Sequence, residues 1–286
     1  MRHLEEYLRY LESKGYTAGT IKSCETDVAQ LGRRSQKDEQ QIIVRDIQFY
    51  HQHLKTLPIQ KSTVAIKLKN IKRYFAYLVS RDHLLIDPTK DLEITYEKDG
   101  LTKEILTVEE MNTLLDSPSQ SIVGIRDKAV MEVLYSTGMR GSDVCALDIQ
   151  DLNLKEKEVN VKDLKNRTER RVPLARQSRA VLIQYLLSSR KELLGRRKFE
   201  TAFFLKAHGQ RLDKALISGI IKKYVKRAGL TKHITPHCLR HSCATHMLEN
   251  GAPVEIIQQM LGHQCLSSTE IYIHVLKDDL KKIQNP

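Results

Sequence analysis

Tryptophan is missing from the 286 residues, and so is any long apolar run. The longest runs, such as Val130 to Tyr135, are broken by a charge like Glu132. None approaches the roughly 20 apolar residues that a bilayer span requires. The opening MRHLEEYLRYLESKGY sets acids among its apolar positions and lacks a signal-peptide core, so a cytoplasmic chain is expected. The five cysteines (Cys24, Cys145, Cys238, Cys243, Cys265) form no C-x-x-C pair, which favours reduced thiols over a disulfide framework. Neither G-x-G-x-x-G nor G-x-x-x-x-G-K-[ST] occurs, and there is no H-E-x-x-H, so no ATP, dinucleotide or metal cofactor is expected. Tracts rich in proline, glycine or serine are also absent. With 41% hydrophobic and 29% charged residues, the composition is that of a folded chain. Its length suits two domains.

Basic charge is what the sequence has in excess. Lys and Arg number 47 against 35 Asp and Glu, a net charge of +12, which points to a polyanionic partner such as nucleic acid. Between Lys61 and Arg81 every charge is basic: Lys61, Lys67, Lys69, Lys72, Arg73 and Arg81. Solvated helix faces normally mix signs, so Lys61, Lys67, Lys69, Lys72 and Arg73 are candidate contacts to a DNA backbone.

The first 94 residues read as helices. Leu4, Leu8 and Leu11 mark one face, Gly15 suits a left-handed stop, and Thr17 or Thr20 suits the next N-cap. Val44 to Leu57 fits a third helix. Ser62 or Thr63 opens a fourth, whose apolar positions Val64, Leu68, Ile71, Phe75 and Leu78 step by four and three. Asp87-Pro88 ends this region, and 95–104 reads as a polar linker. The second domain, 105–286, opens on a capping box, Thr107 with Glu110, and continues as helix through Met111–Leu115 and Ile125–Tyr135. Val159–Val161 and Arg171–Leu174 read as short strands around a charged turn, and helices dominate again from Ser178. The expected class is mainly α, with a helical N-terminal domain and a mostly helical second domain carrying a small β-sheet.

Chemistry-bearing residues concentrate in Thr235–His246. Pro236 suits a first helical turn, which places His237 and Arg240 one turn apart on one face, a pairing suited to a phosphate. Cys238, His241, Cys243 and His246 are all zinc-ligand types. Four ligands on one helix cannot converge on a tetrahedron, so core packing is the expected role of Cys238 and Cys243. A helix over Val254–Leu261 ends at Gly262-His263, and Tyr272 follows nine residues later. Arg140 stands on a turn between two glycines.

In order and spacing these pieces resemble the tyrosine site-specific recombinases, the phage-integrase and Xer-type family. The matching stretches are S-T-G-M-R-G-S-D at 136–143, V-K-D-L-K-N-R-T-E-R-R-V-P-L at 161–174, T-P-H-C-L-R-H-S-C-A-T-H at 235–246 and L-G-H-Q-C-L-S-S-T-E-I-Y-I-H-V at 261–275. The pattern at 63–78 is similar to that family's core-binding domain. The resemblance implies Tyr272 as the nucleophile that leaves a 3′-phosphotyrosine, with Arg140 and Arg240 on the non-bridging oxygens. It implies His237 and His263 for hydrogen bonds and proton transfer, and Lys165 as the acid for the departing 5′-oxygen. Lys165 is placed by aligning Arg171–Leu174 with the end of the family's hairpin; Lys162 and Arg167 compete with it. Gly141, Asp143 and the glycine-free turn Leu164–Thr168 depart from the usual pattern.

Attack on a phosphodiester fits this set. Two guanidiniums suit charge on equatorial oxygens, and a tyrosine needs a cationic pocket or a base to attack at neutral pH. A phosphotyrosine conserves the bond energy, so rejoining needs neither ATP nor a metal. The resemblance further implies two domains clamping a double-stranded DNA recombination site and a homo-tetramer on two duplexes that passes through a Holliday junction. The Leu276, Leu280 and Ile283 face of the tail would dock on a neighbouring protomer or pack within its own chain. Whether an accessory protein or a second recombinase takes part stays open. Type IB topoisomerase chemistry and a non-catalytic DNA-binding module are the rival readings.

Overall fold

The structure, a computed structural model, describes residues 1–94, 104–163, 168–195 and 199–262. The chain divides into two units, Met1–Leu101 and Thr102–Pro286. No helix among the described residues is long and apolar enough to cross a membrane.

The first unit holds α1 (Leu4–Ser13), α2 (Ala18–Ser35), α3 (Val44–Thr56) and α4 (Lys61–Ser80). α1 stops where Gly15 takes φ +77 and Tyr16 N–H reaches back to the Leu11 carbonyl, so the left-handed stop is where the sequence placed it. Of the two candidate caps, Thr17 is the one used: its side chain accepts from Thr20 N–H. α4 begins at Lys61, one residue before Ser62 and two before Thr63. Its N-cap is Gln60, extended at ψ 146, whose carbonyl already accepts from Thr63 and Val64. The 4-3-4-3 face of α4 is buried from Val64 to Leu78 against Tyr7, Leu11, Val28, Ile47 and Leu54. Each such side chain contributes roughly 1.5–3 kcal/mol by leaving water.

The second unit begins with α5 (Val108–Asp116), closed by the expected capping box: Thr107 Oγ1 accepts from Glu110 N–H, and Glu110 Oε2 accepts from Thr107 N–H at 2.8 Å. Then come α6 (Ile122–Thr137), the short α7 (Gly141–Ala146) and a three-stranded antiparallel sheet, β1 (Leu152–Asn153), β2 (Glu158–Asp163) and β3 (Thr168–Pro173). β1 adds an edge that the sequence pattern did not reveal. α8 (Arg176–Gln184) runs through a π-turn into α9 (Arg190–Leu194), followed by α10 (Lys214–Arg227), α11 (Pro236–Glu249) and α12 (Val254–Leu261). α11 packs on α6 and α12, and α12 also meets β3. The apolar core of this unit runs from Leu106 to Leu261.

Candidate active site

α6 ends at Gly138, where φ +58 turns the chain sharply. The turn delivers Arg140 to the N-cap of α7, and Asp143 Oδ2 accepts from the Arg140 backbone N–H at 3.4 Å. The Asp143 carboxylate is buried, with one oxygen 4.0 Å from Arg170. An ideal Cβ on Gly141 would sit 3.6 Å from Pro236, so the starts of α7 and α11 lie side by side.

α11 begins as its sequence indicated. Thr235 caps it, Pro236 occupies the first turn, His237 is exposed and Arg240, one turn on, is 4% exposed. The Arg240 guanidinium reaches two carbonyls from distant parts of the chain: Nη1 donates to Gly138 O at 2.5 Å and Nη2 to Leu261 O at 2.7 Å. These bonds tie together the turn that leads into Arg140, the helix that carries His237, and the C-terminus of α12, two residues before His263. Arg140, His237 and Arg240 are therefore brought into one region. Lys165, Arg167, His263, Tyr272 and the tail residues Leu276, Leu280 and Ile283 lie outside the described residues.

Cys243 and His246 of α11 are buried and pack. Burial pushes the Cys243 thiol up to about 12, and its sulfur lies 4.0 Å from the Met247 sulfur. His246 has both ring nitrogens engaged, Nδ1 with Tyr135 Oη at 2.9 Å and Nε2 with Leu106 O at 2.8 Å.

Of the two lysines that compete in the hairpin, Lys162 is described. It stands opposite Glu169, its ammonium lies 2.8 Å from Asp151 Oδ1, and that hydrogen bond raises its pKa. Sequence reasoning passed over Arg170. Its Nε donates to Met260 O at 2.8 Å, so it fastens α12 from the sheet side. The signal was there: Val159, Val161 and Val172 face the core, and alternation through Val172 puts Arg170 on that same inward face.

The basic face of α4 splits. Lys61 and Lys69 are exposed. Lys67 instead turns into its own unit, donating to Asp27 Oδ1 at 2.8 Å and Gln30 Oε1 at 2.9 Å. Lys72 donates to the carbonyls of Lys90 and Leu92, and Arg73 lies over the Tyr16 ring. Charge counting misses this because Asp27 sits 40 residues away on α2.

The family model described as "Phage integrase family" matches residues 104–279, and "Phage integrase, N-terminal SAM-like domain" matches residues 4–82. Tyrosine recombinase XerD of Listeria monocytogenes serotype 4b is 35% identical over 292 residues, covering 98% of this chain and 96% of the relative. Tyrosine recombinase XerC of Thermodesulfovibrio yellowstonii is 38% identical over 227 residues, covering 78% and 73%. The fold is similar to that of a lambda integrase dimer bound to a COC′ core site, with TM-score 0.76 at 18% identity over 94% of this chain and 93% of that one.

Proposed function

The chain belongs to the phage integrase family of tyrosine recombinases, and from that premise we propose how its own residues divide the reaction. It is a site-specific DNA recombinase that cuts and rejoins DNA strands. In the proposed cycle the Tyr272 oxygen attacks a backbone phosphorus. The phosphorus–oxygen bond to the 5′ side breaks, leaving a 3′-phosphotyrosine and a 5′-hydroxyl. Arg140 and Arg240 hold the non-bridging oxygens, where charge develops in the transition state. His237 and His263 donate hydrogen bonds and move protons, and Lys165 protonates the departing oxygen. The same groups in reverse let a 5′-hydroxyl of the partner duplex attack the phosphotyrosine and rejoin the strand. One strand pair exchanges first, giving a Holliday junction, and the second pair resolves it. Four protomers on two duplexes supply the four nucleophiles.

The observation that carries this reading is the double tether of Arg240 to Gly138 O and Leu261 O. It draws the Arg140 turn, the His237 helix and the approach to His263 together. For the general acid, the engagement of Lys162 with Asp151 supports Lys165 over Lys162. For DNA binding, Lys61 and Lys69 are the exposed ones among the five candidates Lys61, Lys67, Lys69, Lys72 and Arg73, and the ones proposed to meet phosphates.

The deciding experiment is covalent trapping on a nicked suicide substrate, followed by peptide mapping. Tyr272→Phe should bind DNA and form no adduct, since the substitution removes one oxygen and little volume. An adduct that persists, or that maps to another tyrosine, overturns the assignment. A requirement for two recombination sites separates strand exchange from relaxation of one duplex.

A further inference from the structure

We propose that the helical unit contains a binding site for a zinc-class divalent cation formed by His3, Glu6 and His83. Its three residues belong to the first unit, whereas those assigned to strand cleavage belong to the second.

His3 precedes α1, Glu6 is in the first turn of α1, and His83 follows α4. One ligand-type atom from each lies within 4.8 Å of the other two. The two imidazoles stack with centroids 3.9 Å apart at 20°, so one ring must turn about its side-chain bonds for both in-plane lone pairs to meet the ion. His83 Nε2 and Glu6 Oε2 are 3.3 Å apart. Two ligands on one tetrahedral zinc, at bonds of about 2.0–2.1 Å, are separated by about 3.3 Å, so this edge already has the right length. His83 Nε2 is buried and makes no well-aligned hydrogen bond across that gap.

The groups behind the ligands are set as metal sites require. Buried Glu39, 1% exposed, holds His3 Nδ1 at 2.8 Å, which leaves Nε2 as the coordinating nitrogen. Tyr77 Oη donates to Glu6 Oε1 at 2.8 Å, which leaves Oε2 for the ion. Two imidazoles and one carboxylate form a borderline donor set that suits Zn²⁺ better than Mg²⁺ or Ca²⁺. The fourth position is left to water. Bound there, the ion joins the approach to α1 to the turn after α4, so occupancy would stabilise the helical unit by mass action.

Co²⁺ serves as the spectroscopic probe. The full chain is stripped with EDTA and titrated with Co²⁺ while visible absorption is recorded. The expected result is a saturable d–d signal at one equivalent that added Zn²⁺ displaces. His83→Gln and Glu6→Gln should abolish the signal, and Tyr77→Phe should weaken binding by about 10- to 100-fold. Melting of the EDTA-treated variants at the wild-type temperature shows that they fold. Three results overturn the site: no saturable signal in the wild type, an unchanged signal in His83→Gln, or thiolate-to-metal charge-transfer bands, which would move the ion to the cysteines.

Discussion

Replacing Lys67 separates a packing role from a DNA-contact role. Its side chain is 17% exposed and its ammonium is 2.8 Å from Asp27 Oδ1, while the Asp27 side chain is 6% exposed. The other oxygen of Asp27 accepts from Asn70 Nδ2 at 2.8 Å. Lys67→Met keeps the aliphatic stem but leaves Asp27 with that single partner. Removing one member of a buried pair costs about 3–5 kcal/mol, and the partial exposure of Lys67 trims this to about 2–4 kcal/mol. Adding Asp27→Asn removes the stranded charge and keeps an acceptor for Asn70, so the double variant should recover most of the loss. The coupling from the cycle should be about 2 kcal/mol. Urea unfolding monitored by far-UV circular dichroism measures the stabilities. In parallel, the slope of log K for DNA against log salt should be unchanged in Lys67→Met and flatter by about one unit in Lys69→Ala. A Lys67→Met protein with wild-type stability and a slope flattened by one unit would refute the reasoning.

Gly138→Ala should destabilise the second unit by about 2–4 kcal/mol. The φ of +58 costs an alanine roughly 1–2 kcal/mol, and the new Cβ meets Leu261 Cδ2, an overpacking that adds about 1–2 kcal/mol; urea melts and adduct yield should fall together, because the Gly138 carbonyl also seats Arg240. Glu132 is buried, and burial raises its pKa although Ser178 donates to it. The cost of its charge grows as pH rises above the ordinary carboxylate value and levels off at the raised folded value, so Glu132→Gln should stabilise by on the order of 1 kcal/mol at pH 8. That gain should vanish near pH 4 in pH-dependent urea titrations; a constant gain would contradict it. Lys165→Ala should be rescued by a substrate with sulfur at the bridging 5′ position, whose good leaving group needs no acid, and Arg240→Ala should not be. Rescue of Lys162→Ala instead would move the acid to that lysine.

Local signals in the sequence carried the helices well. The 4-3-4-3 run of α4, the Thr107–Glu110 box and the glycine stops at Gly15 and Gly262 depend on neighbours within four residues, and the structure shows each of them. Contacts between distant segments were not legible. Lys67 looks like a surface cation until α2 brings Asp27 beside it. The cluster of Arg140, His237 and Arg240 was readable only as spacing; what draws them together is two backbone carbonyls, which no side-chain pattern encodes. The pairing of His3 with His83 depends on the same long-range closure.

The C-terminus of α12 is riveted twice, by Arg170 from the sheet at Met260 O and by Arg240 from α11 at Leu261 O. Successive carbonyls at the end of a helix otherwise have no partner within it. Here they act as a shared fulcrum. β3, which carries Arg170, and α11, which carries His237 and Arg240, both bear on the point where α12 ends. The strand that carries Arg170 and the helix that carries Arg240 are thereby geared to a single pivot.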